Sequence, residues 1–114
     1  MSIQVTSRQV GDVSVVDVAG RITLGEGASA LRETIRGLVA KGQKKILLNL
    51  GEVSYIDSSG IGELVSGFTT VANNGGALKL LNLTKRVQDL LQITKLYTVF
   101  DVFDSEATGV ASFS

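Results

Sequence analysis

The most informative segment of this chain is KILLNLGEVSYIDSSGIG, residues 45–62. It opens with an apolar run, residues 46–50, which is typical of a strand buried on both faces of a sheet. We interpret the next few residues as a turn, after which Asp57-Ser58-Ser59-Gly60 opens a helix. The two hydroxyls then lie beside the first free backbone N–H groups of that helix, where the helix dipole favours negative charge. The segment therefore predicts a phosphorylatable serine, although the tetrapeptide alone is more typical of an ordinary N-cap.

The residues before this segment predict a strand pair and a helix. Apolar and polar residues alternate over 3–5 and 13–18 around a polar turn at Gly11-Asp12, which indicates an antiparallel pair that Gly20 closes. From Ala28 the apolar spacing becomes helical, and Gly42 ends that helix.

The residues after it continue the alternation of helix and strand. We expect a helix over residues 61–72, a strand over 77–83, a helix capped near Thr84, a short strand over 99–103, and a brief last helix capped by Asp104 or Ser105. The predicted fold class is therefore α/β: one domain spanning residues 1–114, with a mixed sheet of four to five strands covered by about four helices.

The composition argues against several classes of function. Lysine plus arginine equals aspartate plus glutamate, so no basic face for nucleic acid is expected. The chain has no cysteine and no histidine, which removes thiolate and imidazole metal sites and histidine-assisted nucleophiles. No apolar run reaches membrane-spanning length, and residues 1–4 lack the basic start of a signal peptide. We expect a cytoplasmic protein that is not an enzyme and binds no metal, cofactor, membrane or nucleic acid.

Three weaker patterns have ordinary structural explanations. Residues 25–30 fit the dinucleotide pattern G-x-G-x-x-A, but Asn49 lies where the ribose-binding acid should be, so a loop before a helix is the better interpretation. Asp101 and Asp104 are interpreted as capping residues rather than metal ligands. Lys85-Arg86 is interpreted as a solvated helix start.

The order of strand, linker, Tyr-Ile-Asp-Ser-Ser-Gly and Ile-Gly in residues 45–62 resembles the STAS domain of bacterial anti-sigma factor antagonists, and the resemblance extends from about Ile3 to about Ala111. In that family the first serine after the motif aspartate is phosphorylated by an anti-sigma factor that is itself a serine kinase. The unphosphorylated antagonist binds this kinase and frees the sigma factor, and a PP2C-type phosphatase resets the cycle. The resemblance implies Ser58 as the phosphoacceptor, with Ser59 as the alternative.

The resemblance also implies a partner-binding surface around that serine. Asp57 would shape the acceptor site, Ser59 would cap the helix or contact the partner, and Gly60 would let the partner approach. Further docking candidates lie on the helix that follows, where a merely solvated face is an equal alternative: Ile61, Glu63, Ser66 and Gly67. Family members often carry acidic residues where this chain has Arg21 and Thr23, so its partner is expected to differ in charge there.

Two rival functions remain open at this stage. STAS domains also serve as non-catalytic scaffolds or subunits of stress-signalling and lipid-transport complexes, and the intact Asp-Ser-Ser-Gly favours the switch over that alternative. Some family members are said to bind nucleotides, but no phosphate-cradling loop supports such binding in this chain.

Overall fold

The computed structural model describes residues 3–114, which form one mixed sheet and its covering helices. In chain order the elements are β1 (Ile3–Val10), β2 (Val13–Ile22), α1 (Glu26–Ala40), β3 (Lys45–Ile56), α2 (Ser58–Asn73), β4 (Ala77–Leu81), α3 (Lys85–Ile93), β5 (Val102–Phe103) and α4 (Glu106–Ala111). The spatial order of the strands is β1-β2-β3-β4-β5. The first pair is antiparallel and the other three are parallel. The predicted α/β fold, with its five-stranded sheet and four helices, is confirmed.

The strand order explains why three helices share one face. Each parallel connection steps in the same direction across the sheet, and right-handed crossovers then place successive helices on the same side. The main core lies under α1, α2 and α3, and it includes Leu31, Ile35, Leu48, Leu64 and Val87.

The opposite face of the sheet carries a smaller core under α4. Val13, Val15, Leu47 and Leu81 are buried there, and Phe113 packs against them from beyond the end of α4. Because Leu47 faces α4 while its neighbours Ile46 and Leu48 face the main core, the strand is buried on both faces, as its apolar run predicts.

The expected turn after Leu50 is wrong, because β3 continues to Ile56. The register of β3 against β2 shifts twice, each time by one extra residue on β3. The first shift lies between Asp17 and Ala19 of β2, and the second lies between Gly20 and Arg21. The extra residues on β3 are accommodated as bulges, which bend a strand without ending it. Asp57, the residue before α2, therefore follows β3 directly, with no intervening loop.

Smaller differences concern the ends of elements. The first helix begins at Glu26, two residues before Ala28, and β4 stops at Leu81 because Asn82 adopts a left-handed φ of 57° that breaks the ladder. The last strand is shorter than expected. Thr84 and Ser105 cap α3 and α4 as predicted, each accepting a hydrogen bond from a backbone N–H three residues on.

Candidate functional site

Ser58 lies at the junction between β3 and α2, at the carboxyl end of the parallel strands. The backbone N–H of Asp57 still donates to the Ile22 carbonyl of β2 at 3.3 Å, so the chain is held to the sheet until the residue before the serine. Ser58 is the first helical residue, and it is exposed. Its hydroxyl is therefore presented to solvent from a backbone that is fixed on both sides.

Asp57 is the N-cap of α2 and fastens the preceding loop to it. One carboxylate oxygen accepts the N–H of Gly60 at 2.9 Å, and the other accepts the N–H of Leu24 at 3.3 Å. These backbone donors, Gly60 first, hold the pKa of the Asp57 carboxyl below its usual range. An ionised carboxylate that is already engaged by two amides serves as a structural anchor and is a poor general base.

Gly60 has a packing role rather than the expected role in partner approach. It is buried, and a Cβ at this position would lie 2.2 Å from the carbonyl oxygen of Ile22 and 2.6 Å from the Ile56 side chain. The first turn of α2 therefore lies too close to the end of β2 for any side chain. The expectation that this glycine clears space for a partner is wrong.

The other predicted partner-binding residues divide between interior and surface. Ile61 belongs to the core, and Gly67 is buried against Ile35 of α1, which a Cβ would meet at 2.7 Å. These two residues are corrected from docking surface to packing. Ser59 is half-buried and Ser66 is exposed, so both remain available as predicted contacts.

Glu63 joins α2 to α1 through an ion pair. Its Oε2 accepts from Nε and Nη2 of Arg32 at 3.1 and 2.7 Å, and its side chain is only 14% exposed. Arg32, Glu63 and Ser66 line the same small surface depression between α1 and α2. Glu63 is thus partly used internally, and its contact with a partner stays a prediction.

The structure brings Arg21, whose charge the sequence had singled out, together with surface residues that had no predicted role at this site. Arg21 and Arg86 both lie on the ring of Tyr55, at 4.9 and 4.5 Å from its centroid, and Leu24 is 79% exposed. The positive charge at position 21, where family members often carry an acidic residue, was the one feature of the sequence that indicated this surface. The interpretation of Arg86 as merely solvated is incomplete, since its Nη2 also lies 3.4 Å from the Ile56 carbonyl.

The weaker sequence patterns find their explanation in packing. Gly27 of the dinucleotide-like segment is buried, and a Cβ there would lie 2.5 Å from the Arg21 carbonyl, so this glycine lets α1 approach β2.

Residues 3–114 contain no group of three or more acidic side chains arranged to hold a metal ion. Among the same residues, no helix has the length and apolarity needed to cross a membrane.

Comparison with known proteins agrees with this geometry. Residues 4–109 match the STAS domain family. The chain is 36% identical over 110 residues to the anti-sigma-B factor antagonist of Bacillus subtilis, covering 96% of this chain and 99% of that protein. It is 32% identical over 80 residues to the anti-sigma-B factor antagonist of Staphylococcus aureus, covering 70% and 72%. The chain belongs to the STAS domain family, and the resemblance to anti-sigma factor antagonists is confirmed.

Solved structures show the same fold. An anti-sigma factor antagonist from Mycobacterium paratuberculosis superimposes with a TM-score of 0.84 at 20% identity, covering 98% of this chain and 94% of that one. The Bacillus cell fate determinant SpoIIAA in its phosphorylated form gives a TM-score of 0.76 at 18% identity, covering 97% and 100%. At these identities the likeness extends to the fold.

Proposed function

We propose that this protein is a cytoplasmic anti-sigma factor antagonist that is controlled by phosphorylation of Ser58. In its unphosphorylated state it binds an anti-sigma factor that is also a serine kinase, and the sigma factor is released. The kinase phosphorylates Ser58, which ends the association, and a PP2C-type phosphatase restores the hydroxyl.

The observation that carries this proposal is that Ser58 is exposed while the backbone on both sides of it is held in place. Its side chain is exposed on the first turn of α2, while the backbone around it is tied to β2 through Asp57 and packed through Gly60. A kinase needs an accessible hydroxyl, and a binding switch needs a surface that keeps its shape when the charge changes. A protein of the same fold is known in a phosphorylated form, which supports phosphorylation as the means of control.

The electrostatics of the site suffice for such a switch. A phosphoserine adds about −1.5 to −2 charges, and α2 tolerates them at its positive end. The added charge lies next to the ionised Asp57 carboxylate and faces the partner. A contact at about 4 Å between this phosphate and a carboxylate of the partner contributes roughly 4 kcal/mol of repulsion at an effective dielectric of about 20. A hundredfold loss of affinity requires about 2.7 kcal/mol, so no refolding is needed.

The direct test is phosphate mapping. The protein is incubated with ATP and each serine-kinase anti-sigma factor of the same genome, and the modified residue is identified by mass spectrometry. We expect phosphate on Ser58 in the wild-type protein, none in Ser58→Ala, and unchanged incorporation in Ser59→Ala. We also expect Ser58→Ala to keep binding the kinase and Ser58→Asp to lose it.

The matched serine variants separate the two acceptor candidates. Incorporation that persists in Ser58→Ala and disappears in Ser59→Ala would move the acceptor to Ser59. Incorporation in neither the wild-type protein nor any variant, with no kinase binding, would refute the switch.

A further inference from the structure

Two guanidinium groups meet on one tyrosine ring at the carboxyl end of the sheet. Arg21 is the penultimate residue of β2 and Arg86 is the second residue of α3, yet both lie within 5 Å of the ring centroid of Tyr55, near the end of β3. Cation–π contacts at exposed sites are each worth about 0.5–1 kcal/mol, which is enough to bias where the two side chains rest. The fold therefore concentrates positive charge that is far apart in sequence.

This charge is not neutralised within residues 3–114. Neither Arg21 nor Arg86 forms a salt bridge there, although other arginines, such as Arg8 and Arg32, do. The adjacent carboxylate of Asp57 is engaged by backbone N–H groups. Two like charges on one ring repel each other, so an approaching anionic surface would relieve a cost that the free molecule carries.

The same region reaches the phosphoacceptor through the loop after β2. The N–H of Leu24 donates to Asp57, and the N–H of Asp57 donates to the Ile22 carbonyl, so this loop is bonded to the residue before Ser58. Leu24 is 79% exposed, so the loop that is bonded to Asp57 also presents an apolar side chain to solvent. We call this surface the basic rim, and its members are Arg21, Leu24, Tyr55 and Arg86.

We propose that the basic rim is the docking surface for an acidic patch with an apolar centre on the partner protein that takes up Ser58. The inference rests on the proposed function for the identity of that partner. Carboxylates opposite Arg21 and Arg86 would steer the encounter and fix its register. Phosphate on Ser58 then places negative charge next to the partner's carboxylates. Because like charges repel, this single modification is enough to end the complex.

Binding kinetics with charge-neutral variants test the rim. Each purified serine-kinase anti-sigma factor of the same genome is titrated with wild-type protein and with Arg21→Gln/Arg86→Gln at low and at high salt. We expect the double variant to bind about tenfold more weakly, as two partly exposed ion pairs would contribute. The loss should lie mainly in the association rate, and the salt dependence should be reduced.

Lys44→Gln is the matched control, because Lys44 is exposed and lies just before β3, at the opposite end of that strand. It should bind like the wild-type protein. Leu24→Ser should weaken binding without changing the salt dependence. Far-UV circular dichroism should show that every variant is folded.

The outcomes separate the rim from the switch. Unchanged affinity in the double variant, with Ser58 still phosphorylated, overturns the rim and leaves the proposed function intact. An equal loss in Lys44→Gln also overturns it, since the effect would then be one of overall charge. Weaker binding without any Ser58 phosphorylation supports the rim and refutes the switch, and a wild-type protein that binds no kinase refutes both.

Discussion

At the scale of single residues, Asp57 contributes more to the start of α2 than the hydroxyls beside it. Its carboxylate accepts two backbone N–H groups, from α2 and from the loop after β2, while Ser58 projects into solvent. Capping and the proposed acceptance of phosphate are thus divided between neighbours. A kinase can then modify the serine without removing the group that holds the helix.

The pH dependence of stability should report this cap. Because the folded-state pKa of Asp57 is lowered, its charge stabilises the protein above the unfolded pKa of about 3.9, and that contribution is lost as the pH falls through the folded pKa. Asp57→Asn keeps a capping oxygen but no charge, so it should be less stable than wild type at pH 7 and equal to it at low pH. Urea unfolding of both proteins from pH 7 to 2 measures this. A difference in stability that stays the same from pH 7 to pH 2 would contradict it. Asp57→Ala should cost about 0.5–2 kcal/mol at pH 7.

Two glycines of α2 offer a matched pair for the packing argument. Gly60 has no room for a methyl group against Ile22, whereas Gly62 is exposed, and a Cβ there would meet no neighbouring atom within 4 Å. Gly62→Ala should stabilise the helix by about 0.5–1 kcal/mol. Gly60→Ala should destabilise the protein despite the same gain in helix propensity, because β2 or α2 must shift. Thermal unfolding measures both, and equal effects of the two substitutions would refute the close contact.

At the scale of elements, α4 is held by an ion-pair network and by apolar contacts. Arg8 binds the carboxylates of Asp17 and Glu106, with shortest distances of 2.7 and 2.6 Å, and thereby joins β1 and β2 to the first turn of α4. This guanidinium holds the pKa values of both carboxyls below their usual range. A helix of six residues cannot persist alone, so its position depends on these contacts and on Phe113.

We expect the apolar contact to matter more than the charges. The side chains of Arg8 and Glu106 are 43% and 39% exposed, so Glu106→Gln should cost less than about 1 kcal/mol and should matter least at high salt. Phe113→Ala should cost about 1–2 kcal/mol, because full burial of a phenylalanine is worth about 1.5–3 kcal/mol and this one is half-buried. Urea denaturation compares them, and a larger loss in Glu106→Gln would reverse the ranking.

At the scale of the whole molecule, the sequence predicts what local chemistry controls. The start of α2 follows from the capping preference of Asp57, and the burial of Ile46, Leu47, Leu48 and Leu50 follows from their nearly continuous apolar run. The continuation of β3 past Leu50 could not be predicted, because Gly51 and Glu52 are typical of turns and their bulges exist only through pairing with β2. The basic rim could not be predicted either, because Arg21 and Arg86 are 65 residues apart in sequence and come together only on the ring of Tyr55.

The whole molecule should keep its shape when the switch operates, and phosphorylated protein tests this. The acceptor lies at one end of a sheet whose core is packed on both faces, so added charge at Ser58 has no buried group to displace. The helix dipole offsets about 0.3–1 kcal/mol, against repulsion from Asp57, so the melting temperature should move by only a few degrees (about 3–6 °C per kcal/mol at this size). Amide chemical shifts should change in the loop after β2 and in the first turn of α2, and remain unchanged in β4 and α4. Changes that spread through those elements would show that phosphorylation acts by rearranging the fold, and local charge would then no longer explain how one phosphate would end the proposed complex.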